Sequence, residues 1–583
     1  MKTKTLKHIG LAIAVMVGMS ACTGLKKMAK KANTVTYTVT PNPMEMHGDS
    51  IAVTVTGKYP EKYFGKKVVL TFTPVVKWQG GQKEMKPITI IGEKVTTATG
   101  QKITYKTGGS FTYTDKIAYQ PEMKNCELVV KAQGAVKKKT KDMPEMKMAD
   151  GTIITPLLVK SDDMPIIGKD QFVRNIPMSQ PIEIFFLINQ SNVRPTETSK
   201  KEMKDFKKWV ENTLKDPARY GYKNITISAY ASPDGEMLLN QNLANERAES
   251  SKKYFQGMFK EKNTKYENGT GEGFYQIQTT AEDWAGFEKL VKESTDKKVM
   301  ENRDVILGVL KMYPDLETRE KEIKNLAATY TELADKILPK LRRSVDNLNY
   351  DKIGRSDEQL LKFATTTPDS LNVEEILYAA TLTNDVNTKL TIYKNAEKMY
   401  ANDWRVVNNV GVAYLMLNKL SEAQTQFDKA DKLSPNNPII KNNLGICSRW
   451  KGDRKMAMDL YKQANGAGPE VAYNMGIIDI QNGNYASASS NFGNYKTFNA
   501  ALALVLQGNL DGASSTLDQS KEKEDALSYY LKAIIGARKG DTNMMINNLK
   551  TAIQKDASLK EKAKTDMEFF KYWENADFKS VVG

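Results

Sequence analysis

A pattern that returns every 34 residues sets the strongest limit on what this chain can fold into. Gly411, Ala423, Phe427, Ala430 and Pro435 are followed at that interval by Gly445, Ala457, Tyr461, Ala464 and Pro469. Gly476, Ala488 and Phe492 repeat the set after 31 more. Tyr393 and Ala396 echo it upstream; Ala513, Leu517, Leu549 and Ala552 carry it on downstream. Small residues let paired helices approach, and aromatic ones fill the gap left between pairs. One pair cannot bury its own apolar face, so successive pairs stack into a solenoid. An irregular bundle has no reason to keep Ala and Phe in phase. Residues 355–570 are therefore expected to form an all-α repeat array whose concave surface holds a protein partner.

Residues 35–160 carry a different signal. Short β-branched runs such as Val35–Thr40, Ser50–Thr56 and Lys67–Thr73 alternate with Gly, Pro and Asn clusters, the spacing of a β-sandwich. About seven strands are expected, in an immunoglobulin-like arrangement without a Cys–Trp–Cys core. Ala135–Met148, rich in Lys and Met, is expected as an exposed loop, and Gly151–Lys160 as a strand returning to the sandwich. Residues 161–180 would then be a linker.

Between these parts lies the segment richest in polar chemistry. Ile225, Ile227 and Ala229 alternate with Thr226 and Ser228, the mark of a half-buried strand. Ser232-Pro233-Asp234-Gly235 makes a turn. A helix follows, with Asn240, Leu243 and Arg247 along one edge. Glu183–Pro195 reads as an earlier strand and loop, and Leu341–Val345 as a basic closing strand. Residues 281–339 have helical spacing and would be an insertion.

Two families are resembled. Residues 355–570 resemble tetratricopeptide repeats at every diagnostic position. Gly235, Asn240, Leu243, Arg247 and Ala248 match the signature of the OmpA C-terminal-like domain, in a bacteroidete-like form, over residues 181–352. The resemblance implies an α+β fold that binds peptidoglycan. In that family an Asp and the Arg matched by Arg247 grip the zwitterionic end of diaminopimelate. Here Ser232 stands where the Asp is expected, with Asp234 two residues on. Ser232, Asp234, Asn240 and Arg247 are thus the candidate wall-binding residues, with Arg247 expected on a solvated helix edge. The whole is read as a multidomain chain: β-sandwich, OmpA-like domain with a helical insertion, and repeat array.

The N-terminus reads as a processing segment. Lys2, Lys4 and Lys7 precede an apolar run too short to span a bilayer, and Met19-Ser20-Ala21-Cys22 resembles a lipoprotein cleavage box. Residues 1–21 would be the leader, Cys22 the lipidation site and residues 22–34 a tether. The net charge of +16 is spread along the chain and suits anionic surroundings of the cell envelope. No nucleic-acid motif is present, no metal or cofactor motif stands in context, and Cys126 and Cys447 fall in separate parts. His47 alone remains after the leader, and carboxylate pairs such as Asp162-Asp163 and Glu374-Glu375 are expected to be solvated faces. Catalysis is not expected. The leading expectation is a lipid-anchored outer-membrane adaptor facing the periplasm, holding peptidoglycan and a protein partner. The alternative is a scaffold subunit of an outer-membrane assembly or secretion complex that no longer binds the wall.

Overall fold

The computed structural model describes residues 24–583, without the side chains of residues 327–329, so the expected leader and Cys22 lie outside the described residues. The chain forms two compact units: one from residues up to Gly168 together with Asp385–Gly583, the other from Lys169–Asn384. No helix among the described residues is long and apolar enough to cross a membrane.

In the discontinuous unit, eleven strands fold over one core. They are β1 (Thr36–Thr40), β2 (Met44–His47), β3 (Ser50–Tyr59), β4 (Val69–Trp78), β5 (Gly81–Glu84) and β6 (Ile88–Gly92), then β7 (Gln101–Ile103), β8 (Gly109–Ala118), β9 (Cys126–Val136), β10 (Lys139–Asp142) and β11 (Met146–Ile153). β1, β3 and β8 form one layer; β11, β9, β4, β6 and β7 form the other, and β2 pairs with both β3 and β11. The alternating side chains Val53 and Val55 of β3 and Phe111 and Tyr113 of β8 meet Leu70 and Phe72 of β4 and Leu128 and Val130 of β9. Gly57 sits opposite Phe111, where an added Cβ would lie 2.1 Å from the ring. Residues 135–148 form a β-hairpin, not the loop expected, because Lys139–Asp142 pairs back on Gln133–Val136. Nor do residues 151–160 make a returning strand. β11 ends at Ile153, a short 3-10 turn follows at Thr155–Leu158, and the chain then leaves the sheet.

The rest of this unit is the helical array. Its pairs run Trp404–Met416 with Leu420–Leu433, Pro438–Trp450 with Arg454–Gln463, Pro469–Asn482 with Tyr485–Phe492, Phe498–Gln507 with Leu510–Asp518, and Ala526–Lys539 with Thr542–Lys555. The repeated Gly and aromatic of the sequence touch within each pair. A Cβ on Gly411, Gly445 or Gly476 would lie 2.6, 2.4 or 2.9 Å from the ring of Phe427, Tyr461 or Phe492. That contact is why the period survives: the aromatic needs a surface without a side chain. The helical region is a tetratricopeptide-type array.

The second unit is built on a four-stranded sheet in the order β12 (Asn175–Phe185), β15 (Arg343–Ile353), β13 (Tyr220–Tyr230), β14 (Tyr275–Thr280). β13 and β14 are parallel and the other pairs antiparallel. Ile182, Ile184, Ile225, Ile227, Ala229 and Leu348 form one face, covered by Phe206 and Val210 of helix Lys201–Leu214 and by Ala248 and Phe255 of helix Met237–Met258. The other side of β13 is polar, with Asn349 donating to Asn224 and Thr226. Residues 284–341 form helices with their own core around Phe287, Val291, Ile306 and Leu333, in the stretch expected as an insertion.

One carboxyl is out of place in this sheet. Asp346 of β15 is completely buried; Ser344 donates to its Oδ2 at 2.9 Å, while Oδ1 has no partner. Burial pushes its pKa up to about 8, so the folded unit holds a proton there that the unfolded chain releases near pH 4. Stability is then full at acid pH and falls as pH rises toward 8, by on the order of a few kcal/mol. Asp346→Asn, which keeps the site neutral, is expected to flatten this fall and raise the unfolding temperature of the unit at pH 8. Melting curves of both forms from pH 5 to 8 check it; parallel pH profiles would show that Asp346 does not carry the effect.

Candidate functional site

The loop after β13 gathers the four residues named from the sequence, but it turns them inward. Ser232 and Asn240 are each 4% exposed and Arg247 1%. The helix Met237–Met258 presents Arg247 on its buried side with Ala244, Ala248 and Ser251, so the solvated edge expected for it is replaced by a packed one. Its Nε donates to Gln190 O at 3.1 Å, Nη1 to Tyr230 O at 2.9 Å and Nη2 to Leu187 O at 3.3 Å. Its guanidinium also lies over Phe186, 5.5 Å from the ring centre. Burial, and then the neighbouring Arg342, push its pKa down to about 10. The guanidinium thus ties the end of β13 to the loop after β12.

Asp234 is likewise engaged. Arg342 donates from Nη2 to its Oδ2 at 3.0 Å and from Nε to Ser232 Oγ at 3.0 Å, while the Ser232 hydroxyl donates to Asp234 Oδ1. Asn240 donates to Gly235 O at 2.8 Å, closing the turn onto the helix. Next along the chain, Arg343 pairs with Asp283 at 3.0 Å and lies over Tyr230. Arg342 was legible only as part of a basic strand; its place against Asp234 follows from the order of the sheet, which sets β15 beside β13.

The concave face of the array holds a second constellation, and it is occupied by the chain itself. Residues 160–168 run along it in extended form, read by asparagines. Asn409 accepts from Gly168 N at 2.7 Å and donates to Gly168 O at 2.9 Å. Asn443 does the same for Ile166, at 2.8 Å both ways. Asn474 does it for Met164 at 2.8 and 3.0 Å, and Asn499 for Lys160 at 2.8 and 2.9 Å. Asn408 and Asn442 add donors to Ile166 O and Met164 O. All six asparagines are 0–1% exposed.

Each side-chain amide matches one residue's N–H and C=O at once, the pairing a neighbouring β-strand would offer. The residues read share one phase, because an extended chain repeats every second residue; Asp162, in the same phase, is held by its side chain instead. Pro165, which lacks an N–H, falls at the unread phase. A Cβ on Gly168 would lie 2.7 Å from Arg405 Cβ, so only glycine fits there.

Side chains fix the register. Arg449 and Trp450 donate to Asp163, Arg449 Nε at 2.6 Å and Trp450 Nε1 at 2.8 Å, and the ion pair is almost wholly buried. Tyr473 and Asn499 donate to Asp162 at 2.6 Å each. Of the Asp162-Asp163 pair, expected to be solvated, the Asp163 side chain is thus buried and Asp162 half-buried, because the groove covers them. Ile166 joins the core of the first repeats and Leu158 that of the last ones. Glu375 of the other expected pair closes a capping box with Asn372 and pairs with Arg355. The asparagines had a readable signal, Asn two residues before each repeated Gly at 411, 445 and 476.

No family model matches this chain. Among curated proteins it is similar to BBSome complex member BBS4 of Bos taurus, 28% identical over 130 residues that cover 22% of this chain and 25% of that protein. The Mus musculus protein of the same description is 27% identical over 113 residues, covering 19% and 22%. The chain therefore spans about a quarter of these relatives' length. Among solved structures it is similar to a tetratricopeptide repeat protein from Parabacteroides merdae, at 15% identity, 36% and 91% coverage and TM-score 0.28. PilW, a type IV pilus biogenesis factor, matches at 15% identity, 39% and 98% coverage and TM-score 0.28. The APC/C hetero-tetramer Cut9–Hcn1 matches at 13% identity, 63% and 69% coverage and TM-score 0.32. At these scores the neighbours assign neither ligand nor partner to this chain.

The buried place of Arg247 reverses the cost expected of losing it. Arg247→Ala would take a charged donor from three backbone carbonyls and leave a hole beside Phe186. The unit is expected to lose about 2–4 kcal/mol of stability, against under about half a kcal/mol for an exposed helical Arg. Urea unfolding of both forms measures this, and an unchanged midpoint would put the side chain back in solvent.

Proposed function

We propose that the chain is a protein-interaction scaffold of the bacterial cell envelope, lipid-anchored at Cys22 and lodged in an outer-membrane assembly or secretion complex. In this reading its OmpA-like unit has kept the fold of a wall-binding domain and lost the ligand. The observation that carries the reading is the pairing of Asp234 with Arg342 and of Arg247 with three carbonyls. A diaminopimelate end needs a free carboxylate for its ammonium and a free guanidinium for its carboxylate. Here both charges are spent on holding the loop.

The same reading changes how a protein partner would be held. The concave face expected to recruit it is filled by residues 160–168, so a partner would meet the outer faces of the array or the sandwich. The basic charge and the lipoprotein-like leader support a place at the periplasmic side of the outer membrane. Nothing in this reading calls for a catalytic group, metal or cofactor.

Co-sedimentation with purified sacculi tests it. The wild-type chain is expected to stay in the supernatant, and so is Ser232→Asp, because a second carboxylate beside Asp234 meets an arginine already paired. Sedimentation of the wild type that Arg247→Ala abolishes at matched circular dichroism would overturn the scaffold reading and restore the peptidoglycan-binding adaptor.

A further inference from the structure

The first described residues do not trail from the sandwich; they are part of it. Residues 24–30 are helical, and Leu25 and Met28 are buried in the sandwich core at 2% and 3% exposure. Leu25 lies against β9: a Cβ on Gly134 would be 3.0 Å from Leu25 Cδ2 and 2.8 Å from the methyl of Met143. Gly134 faces Lys141 across the β9–β10 hairpin. The hairpin's end, Val136–Lys139, is two residue pairs further, about 7 Å along the strand. The start of the chain and the hairpin end thus share one edge of the sandwich.

That edge is basic. Lys26, Lys27, Lys30 and Lys31 are exposed on the first helix and the residue after it, because Leu25 and Met28 take the inward side. Lys137, Lys138, Lys139 and Lys141 are exposed on the hairpin. No ion pair among the described residues engages Lys26, Lys27, Lys30, Lys31, Lys137, Lys138 or Lys141. The acids nearest in sequence are otherwise employed: Asp142 accepts from Gln133 at 2.8 Å, and Glu145 pairs with Lys77 at 2.6 Å. Lysines brought together from two separate segments outnumber the adjacent Asp142 and make a net basic surface that attracts an anionic counterpart.

We infer that this edge is a membrane-facing surface: the lysines of the first helix and of the β9–β10 hairpin lie on the anionic headgroups of the leaflet that holds the lipid anchor, and set which side of the sandwich faces it. The inference rests on the anchored reading above. Cys22 is two residues before Gly24, so acyl chains there would leave the fold at this edge. A short tether alone allows the body to tumble over the surface. A rigid basic patch beside it selects one orientation, since lysines near an anionic leaflet are attracted within a Debye length. A lipid surface fits better than a protein or wall polymer because the anchor would bring it there without a separate binding event.

Lysine footprinting on vesicles tests the surface and the anchor separately. The processed full chain is reconstituted on phosphatidylcholine vesicles, with or without phosphatidylglycerol, and its amines are labelled from the aqueous side. Labelling of the seven unpaired lysines is expected to fall several-fold on the anionic vesicles relative to the neutral ones and to recover with added salt. Exposed Lys455 of the array should label equally on both. Lys137→Glu with Lys138→Glu and Lys141→Glu, all at exposed positions of the hairpin, should leave melting unchanged and remove most of the protection. Equal labelling of the seven lysines on both vesicles overturns the inference. Protection by purified sacculi in place of vesicles does so too, in favour of wall polymer. Failure of the chain to stay on neutral vesicles speaks against the anchor alone. Flotation with the anionic vesicles then decides the surface: its presence supports the lysine edge, its absence rejects it.

Discussion

The double hydrogen bond between an asparagine amide and one extended residue is the contact on which the larger unit depends. It recurs at Asn409, Asn443, Asn474 and Asn499, and it draws residues 160–168 along the inside of the array. Such a contact reads backbone and not side chains, so by itself it would accept many peptides. The register comes from the buried pair Asp163–Arg449 and from Ile166 in the core. Removing one partner of such a pair leaves the other charge buried alone, at about 3–5 kcal/mol. Because the strap belongs to the same chain, it avoids the translational and rotational cost that a free peptide meets. A competing peptide would have to displace a ligand held at an effective concentration on the order of millimolar or above.

The strap also explains why the sandwich and the array form one unit although more than two hundred residues separate them along the chain. Just before it, in the 3-10 turn, Thr155 donates to Glu568, which Arg538 holds at 2.6 Å. Nearby, Tyr485 donates to Met46 O at 3.3 Å, and Arg454 pairs with Asp49 at 2.9 Å. The smaller unit follows the same economy. Polar groups that could have faced a ligand, Arg247 and Asp234 above all, tie its own loops together, and charge that would cost free energy if left bare in a buried place is neutralised by neighbours. Both regions that read as binding sites are satisfied from within.

Much of the fold was legible because it follows from periodicity. The Gly and aromatic in phase marked the helix pairs, and the alternation of Ile225, Ile227 and Ala229 marked β13. Contacts distant in sequence were not legible. Nothing near Arg247 announces that the loop after β12 will place three carbonyls around its guanidinium, and an arginine on a mostly polar helix looks solvated. The hairpin of residues 135–148 was hidden by its lysines, which suit a loop and equally an exposed strand. Asp162 and Asp163 looked solvated because a carboxylate pair nearly always is, until a groove covers it. The asparagines carried a faint trace, two residues before each repeated glycine, without any sign that their ligand lies in the same chain.

Hydrogen exchange at the strap tests the closed groove most directly. The amides of Lys160, Met164, Ile166 and Gly168 each donate to an asparagine oxygen, so they should exchange only when the array opens. Their rates are expected to match those of the buried helix amides around Asn443 and Asn474, and to rise when Asn443 is replaced by Ala. Exchange of these four amides at the rate of an exposed linker, with the helices around them protected, would contradict the account and leave the concave face open to a partner.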